Sequence, residues 1–363
     1  MPDVSAQVAV TAGSAGPQSL AAFTTLRLGG PPRQLIVATT SDDIVQQVRE
    51  RAVLDEPVLL LAGGSNVVVA DDGFPGTVVL IRSRGVRVEA GDAETVTVRV
   101  EAGEPWDDFV ATTVTAGWSG LECLSGIPGS TGATPIQNVG AYGQEVAETV
   151  TAVRVYDRIV DEIVTKSADE CGFAYRSSIF RHSDRWVVLS VDFTLARSPL
   201  SAPVRYAELA RALDVKIGDR VPLADARAAV LALRAGKGMV LDPSDPDTRS
   251  AGSFFTNPVL DAAGYERLRE RVGEFGEPPS WPAAGGVVKV SAAWLIEKAG
   301  FGKGYGGPDG VAISSKHTLA LTNPGDGSTA ALLALADEIR GGVRQRFGVT
   351  LHPEPILVNC TLA

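Results

Sequence analysis

Apolar and polar positions predict strands and helices in turn at the start of the folded chain. Residues 33–40 and 57–70 are aliphatic and β-branched over strand lengths, and the sequence AGGSN at 62–66 interrupts the second run. Between the two runs, residues 41–53 have the spacing of an amphipathic helix, with Ser41 as the predicted N-cap and acidic residues in the first turn. This order predicts a βαβ-like beginning.

The rest of the chain mixes strand and helix patterns without strict alternation. Residues 77–103 contain β-rich runs with glycine and charged breaks, which predict hairpins, and residues 104–117 predict a helix that ends at a glycine. Strand patterns return over 150–196. Residues 223–235 and 328–348 predict amphipathic helices, and a final strand, EPILVNC, follows the second of them. Strands without regular helical crossovers favour an α+β protein over a doubly wound sheet.

Composition and charge narrow the kind of ligand that the protein can bind. With 363 residues, the chain is long enough for two or three lobes, and its hydrophobic content of 45 % argues against extensive disorder. The net charge of −10, without clustered Lys and Arg, argues against nucleic-acid binding. An anionic ligand must therefore be held by backbone N–H groups or by a few placed cations.

The cysteine pattern and the lack of a signal peptide or transmembrane segment in the sequence predict a cytoplasmic protein. Cys123, Cys171 and Cys360 lack CxxC spacing, which favours reduced thiols and predicts no metal site. The N-terminus lacks the basic and apolar regions of a signal peptide, and no apolar run reaches transmembrane length. We therefore expect neither export nor membrane binding.

Three glycine-rich stretches are candidate phosphate loops. Residues 302–307 (GKGYGG) match GxGxxG, but they follow a helix-like run instead of a strand, so a structural loop is the better interpretation. In residues 62–69 and 125–143, backbone N–H groups and small side chains could approach a pyrophosphate closely. A tight hairpin is the alternative for residues 62–69, and the second loop favours the phosphate interpretation because two such loops suit a dinucleotide.

Six ordered segments carry a resemblance to a known family. They are LAGGSNVVVADDGFPGTVV, GIPGSTGATPIQNVGAYG, FAYRSSIFR, AGSFFTNP, AAWLIEKAG and LHPEPILV. Together they resemble the UDP-N-acetylenolpyruvoylglucosamine reductases over roughly residues 18–359. The resemblance implies an α+β fold, with a two-lobed FAD-binding domain of the vanillyl-alcohol-oxidase (PCMH) type and a separate α+β substrate-binding domain.

The resemblance also implies domain boundaries. A flexible N-terminus is expected over residues 1–17. The FAD-binding domain is expected over 18–200, with its two lobes split near 80–85, and it is completed by a C-terminal strand within 348–363. The substrate-binding domain is expected over 201–347.

The resemblance assigns cofactor and catalytic roles to individual residues. FAD is expected to be tightly but non-covalently bound by two loops, through Gly63, Gly64, Ser65, Asn66, Gly126, Gly129, Ser130, Gly132, Ala133, Gln137, Asn138, Gly140 and Tyr142. Arg176 matches a catalytic arginine, and its permanent cation and bidentate donors suit an enolate or a carboxylate. Ser253 matches the proton donor, and Glu354 matches a catalytic glutamate. From the residues alone, each has an ordinary alternative: a surface arginine for Arg176, a strand residue or turn cap for Ser253, and an acid in a turn before an edge strand for Glu354.

Substrate contacts are implied in the same way, at Tyr175, Tyr206, Lys237, Asn257, Trp281 and His317. Tyr206 matches a tyrosine on a mobile loop and indicates the longer-loop (type I) subgroup. Trp281 and His317 depart from the family pattern, because some relatives have tyrosine and glutamine there. The connection from Lys237 to Ser253 also looks longer than usual.

The implied reaction is the NADPH-dependent reduction of a UDP-N-acetylglucosamine enolpyruvate to UDP-N-acetylmuramate by a monomeric enzyme, with NADPH and the nucleotide sugar using one site in turn. Two alternatives remain open. A flavin oxidase could use the same kind of FAD domain, and a non-catalytic nucleotide-sugar sensor would bind ligand without needing Ser253.

Overall fold

The protein is represented by a computed structural model that describes residues 18–283 and 285–363, so the expected flexible N-terminus lies outside the described residues. Its helices are α1 (Ser41–Val53), α2 (Trp106–Thr115), α3 (Ala207–Ala212), α4 (Leu223–Gly236), α5 (Ala262–Val272), α6 (Ala292–Lys298) and α7 (Thr329–Phe347). Among them, none combines the length and hydropathy that crossing a bilayer requires.

The strands of the first half are β1 (Pro32–Ala38), β2 (Val58–Leu61), β3 (Val67–Val69), β4 (Phe74–Ile81), β5 (Val86–Gly91), β6 (Thr95–Glu101), β7 (Trp118–Ser119), β8 (Gly140–Ala141), β9 (Gln144–Glu145), β10 (Val150–Asp157), β11 (Glu162–Ser167) and β12 (Trp186–Arg197). Those of the second half are β13 (Ser250–Ser253), β14 (Val259–Leu260), β15 (Ser280–Ala283), β16 (Val287–Val290), β17 (Ala312–Ile313), β18 (Ala320–Thr322) and β19 (Ile356–Val358).

A small parallel sheet forms the first lobe. Its strand order is β1-β4-β2, so the two strands of the predicted βαβ-like start both pair with β4, which lies between them. This corrects the prediction that residues 77–82 enter a hairpin. The N-cap of helix α1 is Thr40 and not the predicted Ser41, so the helix begins one residue earlier than expected. The Thr40 hydroxyl accepts a hydrogen bond from Asp43 N, and the Asp43 carboxylate accepts one from Thr40 N.

The glycine-rich stretch between β2 and β3 is a loop and not a hairpin. Strand β2 belongs to the first sheet, whereas β3 pairs in parallel with β19 near the C-terminus. This long-range pairing brings the last strand of the chain back to the first lobe. The hairpin alternative for residues 62–69 is therefore wrong.

The second lobe is built on an antiparallel sheet of order β11-β10-β12-β6-β5, and the short strand β7 also pairs with β12. Buried and half-buried positions alternate along β6, so one face of the strand is buried more deeply than the other. Helix α2 covers this face, and Trp106, Phe109 and Phe193 form the aromatic centre of the core. The break between β4 and β5 falls at 82–85.

Helices α3 and α4 pack on the second lobe. Val204, Leu209 and Val230 form a small core with Cys123 of that lobe, and Arg227 makes an ion pair with Asp107 at 2.7 Å. The beginning of the region expected to bind substrate therefore lies against the region expected to bind FAD.

The remaining lobe is built from two three-stranded sheets, β13-β18-β17 and β14-β16-β15, with α5, α6 and α7. Helix α7 buries apolar residues at helical spacing, and it ends where Gly348 adopts a left-handed φ of 70°. Leu26 and Val68 of the first lobe join the same core. The α+β architecture agrees with the expected fold class; the domain boundaries stay a prediction.

Candidate active site

One cavity of about 500 Å³ opens where the three lobes meet, within the range of cofactor and small-molecule sites. Strand β2 and the apolar residues Ile127 and Ile136 line part of it. Many of the predicted site residues line the rest: Gly63, Gly64, Ser65, Asn66, Gly129, Ser130, Gly132, Ala133, Gln137, Gly140, Arg176, Ser253 and Glu354. The predicted residues that do not line it are Gly126, Asn138, Tyr142, Tyr175, Tyr206, Lys237, Asn257, Trp281 and His317.

The two glycine-rich loops pack directly on each other. A Cβ at Gly63 would lie 2.5 Å from Gly129 Cα, and Ser65 Oγ donates to Pro128 O at 2.9 Å. A Cβ at Gly132 would lie 2.5 Å from Ala102 Cβ. Gly63 and Gly132 therefore permit a close approach between two segments of the protein. The sequence analysis predicts instead that the loop backbone approaches a pyrophosphate closely.

The same loops expose backbone donors that suit a pyrophosphate. Within the described residues, the N–H groups of residues 63–66, Gly129 and Ser130 have no hydrogen-bond acceptor. Unpaired N–H groups in consecutive loop residues form an anion-binding concavity. Two such loops beside an apolar cavity would suit a dinucleotide such as FAD.

Gln137 and Asn138 have different environments although they are neighbours. Gln137 Oε1 accepts from Asn66 Nδ2 at 3.0 Å, and Gln137 Nε2 donates to Glu354 Oε1 at 3.3 Å, which connects both loops to the catalytic candidates. Asn138 is buried, and its side chain bonds to Glu145, Ala174 and Ala147. Gly126 similarly donates its N–H to Asp107.

Arg176 and Glu354 form an ion pair at the cavity. Arg176 Nε lies 3.3 Å from Glu354 Oε1, and the two side chains are only 20 % and 14 % exposed. Arg176 Nη2 also donates to Gly140 O at 2.8 Å, so the guanidinium is oriented by the second glycine-rich loop. Burial raises the pKa of the Glu354 carboxyl, and the nearby Arg176 and Arg181 cations oppose this rise.

Ser253 reaches the cavity through a β-bulge. Ser250 pairs with Thr322 and Ser253 with Ala320, so two residues of β13 lie opposite one residue of β18. Gly252 supplies the left-handed φ of 73° that this bulge needs. Within the part of the chain that the structure describes, the Ser253 hydroxyl has no hydrogen-bond partner. It is therefore free to donate to a bound substrate.

Two of the predicted substrate residues, Tyr206 and Lys237, cluster with the predicted cofactor residue Tyr142 on the side of α3 and α4. The rings of Tyr142 and Tyr206 meet edge to face at 5.5 Å, and Lys237 Nζ lies 5.5 Å from the Tyr142 ring centre. Lys237 Nζ also donates to Glu208 at 2.6 Å. Burial alone would lower the pKa of Lys237, but Glu208 and Tyr142 outweigh it and the pKa is raised.

His317 contributes an imidazole that is neutral at physiological pH. Burial and the charges of Lys237, Lys303 and Arg234 lower its pKa to about 4. The loop that carries His317 is fixed to the long connection after Lys237, because the Asp247 carboxylate accepts from Ser315 N at 2.9 Å. The connection that looked unusual in sequence thus supports a predicted substrate residue.

A second cluster contains the predicted substrate residues Tyr175 and Trp281. Lys289 Nζ is 4.5 Å from the ring centre of Tyr175 and 5.8 Å from that of Trp281. Asn257 Oδ1 accepts from Ala292 N at 2.9 Å, which leaves its amide N–H₂ for other partners. Both aromatic rings are exposed, at 37 % for Tyr175 and 45 % for Trp281. This exposure suits contact with a ligand.

Sequence reasoning missed several cations of the site. Arg158, Arg181 and Arg234 line the cavity, and Lys289 joins the second cluster. Arg181 ends the quoted FAYRSSIFR segment and Arg234 lies one helical turn before Lys237. Proximity to these motifs was the available signal. In the described chain, no three His, Cys, Asp or Glu side chains are grouped as metal ligands.

The fold and the cavity define a class of protein: a flavin-dependent oxidoreductase with an FAD-binding domain and a second α+β domain. An FAD-binding-domain family model matches residues 32–162, and a model for the C-terminal domain of UDP-N-acetylenolpyruvoylglucosamine reductase matches residues 243–358. The chain belongs to the UDP-N-acetylenolpyruvoylglucosamine reductase family, which the sequence resemblance had indicated.

Relatives with that name match along nearly the whole chain. The enzyme of Salinispora arenicola is 71 % identical over 94 % of this chain and 95 % of its own, and that of Thermobifida fusca is 56 % identical over 94 % and 97 %. The crystal structure of the Thermus caldophilus enzyme covers 94 % of this chain and 97 % of its own, with a TM-score of 0.63 and 23 % identity. At that identity, the structural match supports the fold alone.

Proposed function

We propose that this cavity catalyses the NADPH-dependent reduction of UDP-N-acetylglucosamine enolpyruvate to UDP-N-acetylmuramate, in the synthesis of peptidoglycan precursors. The observation that supports the proposal is that Arg176, Ser253 and Glu354 come from three distant segments and line one cavity with both glycine-rich loops. Held by the two glycine-rich loops, FAD would supply the hydride chemistry, accepting a hydride from NADPH for delivery to the methylene carbon of the enolpyruvyl group.

The protein's part in this step is to stabilise charge and to supply a proton. As the hydride arrives, the double-bond electrons move toward the substrate carboxylate and form an enolate. Arg176 is a permanent cation that can bind this anion. Glu354 pairs with Arg176 as a carboxylate, and because burial raises its pKa it takes up a proton more readily than an exposed glutamate, which would let it donate a hydrogen bond to the anion. Ser253 then gives its proton to the neighbouring carbon and recovers one from solvent.

The substrate's nucleotide part would lie between the two clusters outside the cavity. Lys237 carries a cation suited to a diphosphate, and Tyr142, Tyr175 and Tyr206 offer ring faces and hydroxyls. His317, as a neutral imidazole, can both donate and accept a hydrogen bond at pH 7. We include Asn257 and Trp281 in this binding surface, and Tyr206 supports assignment to the longer-loop subgroup.

The enzyme is further proposed to act as a cytoplasmic monomer. One chain supplies both loops and all three catalytic candidates, so the proposed chemistry needs no second copy. Cys123, Cys171 and Cys360 are free thiols, as expected in a reducing compartment.

The test is NADPH oxidation by the purified flavoprotein with and without the enolpyruvyl nucleotide sugar. We expect oxidation that depends on the sugar, with one sugar reduced per NADPH and ping-pong kinetics. Rapid oxidation in air without sugar turnover would instead identify a flavin oxidase. Sugar binding without any turnover would identify a sensor. Protein that acquires no flavin absorbance after FAD addition would contradict the cofactor assignment.

A further inference from the structure

Arg181 connects the backbones of two catalytic candidates. Its Nη1 donates to Arg176 O, and its Nη2 lies 3.4 Å from Glu354 O. These carbonyl groups belong to a turn of the second lobe and to the C-terminal segment before β19. The forked donors of a single guanidinium can span two acceptors in this way, which a lysine cannot.

At the Arg176 end, the contact supports an unusual backbone conformation. Ala174 and Ser177 exchange N–H and C=O hydrogen bonds of 3.0 and 3.1 Å, so Tyr175 and Arg176 form the tip of a tight turn. Arg176 has a φ of 50°, which ordinarily favours glycine or asparagine. Such a conformation costs on the order of 1–3 kcal/mol and persists only where its surroundings fix it.

At the Glu354 end, the arginine completes a set of backbone anchors. Glu354 N donates to Phe254 O at 2.8 Å, next to Ser253, and Ile356 N donates to Asn66 O at 3.0 Å in the first glycine-rich loop. Arg181 binds the remaining polar group, the Glu354 carbonyl oxygen. The position of the carboxylate relative to Ser253 and Arg176 is therefore defined from three directions.

Arg181 also contributes charge. Arg176 and Arg181 are the cations that face the Glu354 carboxyl, and Gln137 is its neutral partner. The Nε–H of Arg181 is buried and has no partner within the described residues. An arginine placed with one donor unsatisfied costs stability, which indicates that its two other contacts have a role.

We propose that Arg181 is a positioning residue, which sets the separation of Arg176 and Glu354 for the reduction of the enolpyruvyl group. The inference rests on the proposed function, because it concerns the geometry in which these two residues receive negative charge. A displacement of about 1 Å in such a site can lower turnover by about 100-fold.

The experiment compares Arg181→Met, Arg181→Lys and Arg185→Met in the FAD-loaded enzyme. Arg185 is a matched control, since it belongs to the same segment but pairs with Asp157, and neither of these two residues lines the cavity. Arg185 stacks on the ring of Trp186, which does line the cavity, and methionine retains an apolar contact with that ring. We expect Arg181→Met to lower kcat for the sugar about 10- to 100-fold, with KM little changed and anaerobic flavin reduction by NADPH within about two-fold of wild type. Arg185→Met should retain wild-type kinetics.

The pH profile provides a readout that a purely structural role would not move. Loss of the Arg181 cation should shift the inflection of kcat that belongs to Glu354 to higher pH, and Arg181→Lys should shift it back while restoring only part of kcat. Wild-type turnover in Arg181→Met would overturn the inference. So would a loss of bound FAD that slows flavin reduction by NADPH and sugar reduction equally. Neither result would contradict the proposed function. A wild-type enzyme without sugar-dependent NADPH oxidation would overturn the proposed function and the inference with it.

Discussion

Arg176 Nε and Glu354 Oε1 lie 3.3 Å apart at the surface of the cavity, in an ion pair whose members come from the second lobe and from the chain's last segment. Burial raises the pKa of the carboxyl even though two arginines are close to it. Water is thus a weaker competitor at this pair than at an exposed one, so charge developing on a bound substrate would be felt strongly.

Glu354→Gln tests the catalytic part of this relationship. The amide retains the shape and the contact with Gln137 but cannot exchange a proton, so kcat for the enolpyruvyl sugar should fall by roughly 100- to 1,000-fold. Flavin reduction by NADPH, followed anaerobically by loss of visible absorbance, should change little. Equal slowing of both half-reactions would instead indicate that Glu354 orients the cofactor.

Ser253→Ala should also slow reduction of the sugar while leaving flavin reduction by NADPH unchanged. Here the reason is the loss of the proton donor. The hydroxyl lies at the bulge of β13 without a partner in the described chain, so its removal leaves no unsatisfied protein group and the fold should be retained. Product formation should fall by roughly 100- to 10,000-fold. Ser253→Cys is the control because it keeps a proton donor. It should recover part of the activity, and full activity in the alanine variant would exclude Ser253 as the donor.

The local elements were predictable from the sequence, but their convergence was not. Helix α4 and strand β12 follow directly from apolar spacing. In contrast, Glu354 reaches Arg176 only because β19 pairs with β3, and Ser253 reaches the cavity only because Gly252 forms a bulge. No local sequence pattern predicts the β19–β3 pairing or the bulge, so the catalytic roles of Arg176, Ser253 and Glu354 were predicted from the family resemblance. Arg181 was missed because a lone arginine ordinarily lies at the surface.

His317 predicts a pH dependence of stability. Its pKa is lowered to about 4 in the folded protein, below the ordinary 6.5 of an unfolded chain. Between these values the unfolded chain binds a proton that the folded one does not, so the free energy of unfolding falls as the pH drops through this window.

His317→Gln should remove that dependence and keep a side chain able to donate and accept hydrogen bonds. Between pH 7 and pH 5, the free energy of unfolding of the wild type should fall by on the order of 2 kcal/mol more than that of the variant. Denaturant unfolding at both pH values measures the difference. His352→Gln, at an exposed position, controls for loss of an imidazole in general. Parallel pH curves for wild type and His317→Gln would contradict the assignment.

Gly63→Ala tests whether the packing of the two glycine-rich loops determines FAD binding. The new Cβ would lie 2.5 Å from Gly129 Cα, a backbone atom that cannot rotate away, so the loops must separate. Separation would misalign the unpaired N–H groups of both loops. We expect a clear loss of visible flavin absorbance per protein and a smaller rise in Tm on FAD addition.

Gly341→Ala is the control, because a Cβ at this position of helix α7 meets no atom within 4 Å. That change should retain FAD and stabilise the protein by about 1 kcal/mol. Wild-type flavin content in Gly63→Ala would show that the loops can bind the cofactor without this close contact.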